Sequence, residues 1–90
     1  MENILAEFGT EGKLKAHVYI NPEIIVNNQL VVLEPFFKED FRKAVERDCS
    51  EYVIKGDIFI NKTNEKLTEI IDGKKEEVEV LLIWSYCDKK

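Results

Sequence analysis

The strongest constraint on this chain is Val78–Tyr86, Val-Glu-Val-Leu-Leu-Ile-Trp-Ser-Tyr, its longest predominantly apolar run. The run is far shorter than the roughly 20 apolar residues a membrane-spanning helix needs. Its β-branched and aromatic content favours a strand over a helix. In a strand, Val78, Val80, Leu82, Trp84 and Tyr86 share one face, and Glu77, Glu79, Leu81, Ile83 and Ser85 share the other. The second face starts charged and turns apolar halfway along, which predicts a strand that enters a sheet at a solvated rim and ends under cover. If chain order is also sheet order, this strand closes a meander at an open edge, where an apolar strand is an aggregation hazard. Pairing with Lys13–Ile20 or Leu30–Leu33 removes the hazard within one chain. Pairing with a second copy removes it as a homodimer, and pairing with a target protein removes it in a complex.

Upstream, Ile4–Phe8 reads as an edge strand or a single helical turn, and Gly9-Thr10-Glu11-Gly12 as a break. Lys13–Ile20 alternates, with Leu14, Ala16, Val18 and Ile20 on one side and Lys13, Lys15, His17 and Tyr19 on the other, the mark of a half-buried strand. Asn21-Pro22 ends it. Glu23–Val26 and Leu30–Leu33 flank Asn27-Asn28-Gln29, a hairpin candidate because asparagine tolerates left-handed backbone. Pro35 suits a first helical position, and Phe37, Phe41, Ala44, Val45 and Asp48 form one stripe, predicting a helix over 35–48.

Glu51–Asn61 alternates again, with Tyr52, Ile54, Ile58 and Ile60 in register and a kink expected at Gly56. Leu67–Ile71 could be a short helix closed by Gly73, but Asp72-Gly73 between β-branched segments is a stronger hairpin signal. With turns at Lys62–Lys66 and Asp72–Lys75, the C-terminal part becomes a three-stranded meander. The expected fold is a single α+β domain over 1–90: an antiparallel sheet of about five to six strands, with one helix packed on it. A small open β-barrel with one helix is the alternative.

With 44% hydrophobic and 34% charged residues, the chain has the balance of a folded protein rather than a disordered one. A net charge of −5, with Lys and Arg scattered among carboxylates, argues against nucleic-acid binding through phosphate neutralisation. The start, Met1-Glu2-Asn3, has no signal-peptide pattern, and Cys49 and Cys87 fit neither a metal spacing nor a CxxC motif. The expectation is a cytoplasmic protein with free thiols, no membrane segment, no cofactor and no metal.

The sole histidine, His17, is on the polar side of its strand, and neither cysteine has the electropositive neighbours of a reactive thiol. No catalytic constellation emerges. The expected function is that of a small acidic, non-enzymatic protein working by stoichiometric contact with a macromolecule, such as a phage- or plasmid-type inhibitor of a host enzyme or an immunity protein. A basic protein surface is the expected partner. The alternative is a small hydrolase or ligand-binding enzyme with a carboxylate or cysteine site. The candidate contact residues are Glu76, Glu77, Glu79, Leu81, Ile83, Tyr19 and Phe36, because a small sheet rarely buries both faces. The competing reading has the helix and loops covering the sheet and Phe36 serving as a hydrophobic staple at the helix start.

Overall fold

The computed structural model describes residues 4–90. Met1-Glu2-Asn3, read above for a signal peptide, lies outside the described residues. The elements are β1 (Glu7–Phe8), β2 (Lys13–Ile20), α1 (Pro22–Val26), α2 (Leu30–Asp48), β3 (Tyr52–Ile71) and β4 (Lys74–Lys89). The sheet is antiparallel with order β1-β2-β4-β3. The architecture is α+β, with four strands rather than the expected five to six. The sheet is open, with β1 and β3 at its edges, so the barrel alternative is set aside.

Lys13–Ile20 is a strand over the expected residues, and Leu14, Ala16, Val18 and Ile20 are all buried. It pairs with β4 from Lys13↔Tyr86 to Ile20↔Glu79, so Val78–Tyr86 is central, not an edge. Internal pairing with Lys13–Ile20 is the outcome. Ile4–Phe8 supplies only the short β1, which returns through the glycine break, where Gly9 N–H donates to Lys13 O at 2.8 Å.

The expected hairpin over Glu23–Leu33 is replaced by helix. Asn21 Oδ1 accepts from the Glu23 N–H at 3.0 Å with Pro22 at the first helical position, so the strand terminator is also a helix start. Asn28 does take a left-handed conformation, φ 60°, but it separates two helices instead of turning a hairpin. The long helix begins at Leu30, and Pro35 lies inside it. Leu30 and Leu33 pack against the core ahead of the fully buried stripe Phe37, Phe41, Ala44 and Val45. Spacings of three and four residues from Leu30 through Phe41 carry one apolar face past the proline. Phe36 is therefore mid-helix and not a staple at its start.

β3 is one strand of 20 residues. The kink at Gly56 is present as a bulge between Lys55 and Ile58, with Gly56 at φ 76°. Lys62–Lys66 is a second bulge, with Asn64 at φ 63°, and not the expected turn. The three-stranded meander is thus a two-stranded hairpin. Leu67–Ile71 is strand, and Asp72 (φ 52°) and Gly73 (φ 77°) turn the chain into β4 with the positive φ at both positions that a type I′ turn requires.

The helices cover one sheet face. Under them lie Leu14, Ala16, Val18, Ile20, Ile58, Leu81 and Ile83, together with Ser85, whose fully buried hydroxyl finds no hydrogen-bond partner among the described residues. Past Lys66↔Glu79 the β2 partner has ended, and only β3 and β4 continue, from Leu67↔Val78 to Ile71↔Lys74. This projecting arm stretches the molecule to 43 Å in its longest direction against 26 and 21 Å in the others.

Candidate contact surface

Among the described residues, apolar side chains lie outside the core on the uncovered sheet face, the outer side of α2 and the arm, with Phe8 and Val26 exposed apart from these.

Pairing register and the period of two place Lys13, Lys15, His17 and Tyr19 of β2 on the uncovered face. Beside them run Tyr86, Trp84, Leu82, Val80 and Val78 of β4, and then Lys55, Phe59 and Asn61 of β3. Part of this face covers itself, although Tyr86 and Phe59 remain 50% and 39% exposed. Phe59 stacks on Trp84 with ring centroids 4.5 Å apart, and Tyr86 meets Trp84 edge-on at 5.3 Å. The Lys13 ammonium stands 4.5 Å from the Trp84 ring centroid, and the indole N–H donates to Asn61 Oδ1 at 2.7 Å. An indole held by an aromatic ring, an ammonium and an amide is a packed cluster rather than an open stacking platform. Further along, Val78 and Val80 are buried on this same side, and at the bulge Thr63 Oγ1 donates to Val80 O at 2.9 Å.

The structure separates the candidate contact residues. Leu81 and Ile83 are core residues with 0% exposure under α2, so they are corrected from contact residues to packing residues. The apolar half of their face is what the helix covers. Tyr19, 52% exposed, is on the uncovered sheet face, and Phe36, 65% exposed, is on the outer side of α2 with Val31 and Val32. The sheet lies between them, and they form no joint surface. Glu76, Glu77 and Glu79 fall on the arm and its root. Glu77 is 3.6 Å from the Lys66 ammonium, and Glu79, half-buried, marks the point where β2 ends.

The arm has no interior of its own: every residue from Asn64 to Glu77 is exposed. Leu67, Ile70 and Ile71 are 43%, 73% and 40% exposed. On one face, Leu67↔Val78, Glu69↔Glu76 and Ile71↔Lys74 follow in order. Glu69 and Glu76 are thus directly opposite like charges, an arrangement that destabilises a strand pair. Among the described residues neither is in an ion pair. Sequence reasoning found Glu76 but missed Glu69, Leu67, Ile70 and Ile71. Their partnership depended on recognising 62–66 as a bulge, and positive-φ tolerance at Asn64 was the one available signal.

Nothing assembles a catalytic pair from the residues considered for one. His17 is exposed on the uncovered face, whereas Cys49 is buried on the helix side with its Sγ donating to Ala6 O at 3.5 Å. Burial pushes the Cys49 thiol up, and the Asp48 and Glu51 carboxylates add to the shift. Cys87 borders a shallow depression of about 440 Å³ with Lys55, Gly56, Tyr86 and Asp88. Burial and then Asp88 raise its thiol too, the reverse of what a nucleophilic cysteine needs. Among the described residues no group of three His, Cys, Asp or Glu side chains could hold a metal ion, and no helix is long and apolar enough to cross a membrane. Set against protein-family models, curated proteins and solved structures, the chain finds no match.

Proposed function

We propose that this is a small acidic binding protein that acts by stoichiometric contact with a macromolecular partner, not by catalysis, and that the β3–β4 arm makes the contact. An inhibitor or immunity-type protein working in the cytoplasm fits this description. The observation that carries the reading is the exposure of Asn64–Glu77 on both faces of a two-stranded ribbon. An isolated two-stranded hairpin is at best marginally stable in water. Ordering its backbone costs roughly 1–2 kcal/mol per residue in conformational entropy. The arm offsets little of this by burial, since the core ends at its root, and it sets two carboxylates against each other. Such a segment contributes little to folding, and contact with another molecule is the role its shape and side chains suit.

The test is a shortened arm. Deleting Thr68–Ile71 and Lys74–Glu77 joins Leu67 to Val78 through Asp72-Gly73. Those two residues are already paired. Removing an even number of pairs keeps both the facing and the hydrogen-bond alternation of the ladder. The shortened protein should keep its circular dichroism and its denaturation midpoint. In quantitative affinity capture, a partner held by the wild type at a fixed stoichiometry should be lost by the shortened form. Equal capture by both folded proteins would remove the arm from the contact, and turnover of a small-molecule substrate by both would overturn the non-enzymatic reading.

A further inference from the structure

The edge of β3 suggests what the arm contacts. β3 is an outer strand along its whole length, so every second residue turns its N–H and C=O away from β4. Two bulges interrupt this edge, between Lys55 and Ile58 and between Lys62 and Lys66, and bulges are a standard obstacle to edge-to-edge pairing. Beyond the second bulge, Lys66–Ile71 runs in unbroken register with Glu79–Lys74, the longest regular stretch of that edge. This stretch presents Leu67, Glu69 and Ile71 on one face, with Glu76, in no ion pair among the described residues, directly behind Glu69.

We propose that the Lys66–Ile71 edge takes up an extended basic segment of a partner protein as an added strand, with an arginine or lysine meeting Glu69 and Glu76. The proposal rests on the binding role assigned to the arm above. Backbone pairing supplies affinity, and the alternating side chains supply selectivity. Positions opposite Leu67 and Ile71 call for apolar, β-branched side chains, and the position opposite Glu69 calls for a cation. One arriving cation also relieves the Glu69–Glu76 opposition, so the cost of that pair in the free protein becomes a source of preference in the complex. A third strand turns the marginal ribbon into a small sheet. A second copy of the chain is a poorer occupant. A two-fold axis perpendicular to the sheet, centred on Thr68, pairs Lys66 with Ile70 and Glu69 with Leu67, leaving both carboxylates without a cation.

The probe is the palindromic peptide acetyl-Thr-Val-Thr-Arg-Thr-Val-Thr-amide, which presents the same side-chain order in either strand direction. It is titrated into the full-length protein and followed by amide chemical shifts and hydrogen exchange. Shifts and added protection confined to Lys66–Ile71 and Lys74–Val78 are expected. The peptide with glutamate in place of arginine should bind about fivefold more weakly, since one cross-strand charge pair contributes up to about 1 kcal/mol. Glu69→Lys should reverse the order of the two peptides, and Glu76→Lys, which hands Glu69 a cation within the ribbon, should shrink the preference for arginine towards equality, while an unchanged Trp84 indole resonance reports an intact fold. Equal affinity for both peptides, shifts on Val31–Phe36 or on the uncovered sheet face, or no binding at millimolar peptide would each overturn the proposal. Shifts that follow dilution of the protein alone would name a second copy as the occupant and overturn it too. None of these results would decide the arm-shortening test, so the two readings fail separately.

Discussion

At the residue scale, Asp48 and Arg47 do more than end the helix. The Asp48 carboxylate accepts from the Arg47 guanidinium at 2.7 Å and from the Ala6 N–H at 3.1 Å, and Arg47 also donates to Ile4 O. The two side chains tie the start of the chain to the end of α2. The hydrogen bonds from Arg47 and then Ala6 hold the Asp48 carboxyl at about 2, below its ordinary 3.8. A depressed carboxyl stabilises the fold above its unfolded value, and that contribution is lost as pH falls from about 4 through 2. Asp48→Asn should therefore lower the urea midpoint at pH 7, with the deficit shrinking as pH falls towards 2. A deficit independent of pH would assign the loss to packing alone. Phe41 is 0% exposed at the centre of the helix stripe. Phe41→Ala should cost about 3–5 kcal/mol, and an unchanged denaturation midpoint would contradict its place in the core.

At the element scale, β3 and β4 each behave as two devices on one strand. The first half of the hairpin packs against α2, and the second half projects past β2 with no cover. Local stability should divide at the same point, because amides in segments with few buried contacts open far more readily than those in the core. Gly73 sits at φ 77° at the arm tip, where an added Cβ would meet nothing within 4 Å. Gly73→Ala places a Cβ in a left-handed conformation, at roughly 1–2 kcal/mol. The expected result is faster hydrogen exchange from Lys66 to Val78, with exchange at Leu81 and Ile83 unchanged. Uniform acceleration through the core would show that the arm folds as one unit with the sheet.

At the scale of the whole molecule, the net charge of −5 is spread over most of the chain, and the arm carries its share along its length, with Glu65, Glu69, Asp72, Glu76 and Glu77 against Lys66, Lys74 and Lys75. If the partner is basic, its association with the arm is steered by these charges. The on-rate should then drop clearly between low and physiological salt, where charges are screened beyond about 8 Å. Changing Glu76, Glu77 and Glu79 together to lysine should lower the on-rate more than it raises the off-rate. Stopped-flow association that ignores both changes would reduce the acidity to a solubility feature.

What the sequence determined by itself were features with a local physical cause. Period-two alternation marked Lys13–Ile20, the apolar stripe marked Phe37 to Val45, and Asp72-Gly73 marked the hairpin turn, each legible because backbone geometry forces those patterns. Asn28 and Asn64 show the limit. Positive φ is a local preference, but whether it breaks a helix, turns a hairpin or makes a bulge depends on what pairs on either side. Leu81, Ile83, Trp84 and Tyr86 show it again, because alternation assigns two faces without saying which one α2 will cover. Only the tertiary structure decided that β4 is central, that Leu81 and Ile83 are core, and that Glu69 opposes Glu76. Strand order and register are set by contacts between residues far apart in the chain, and those interactions are not written in any single stretch of it.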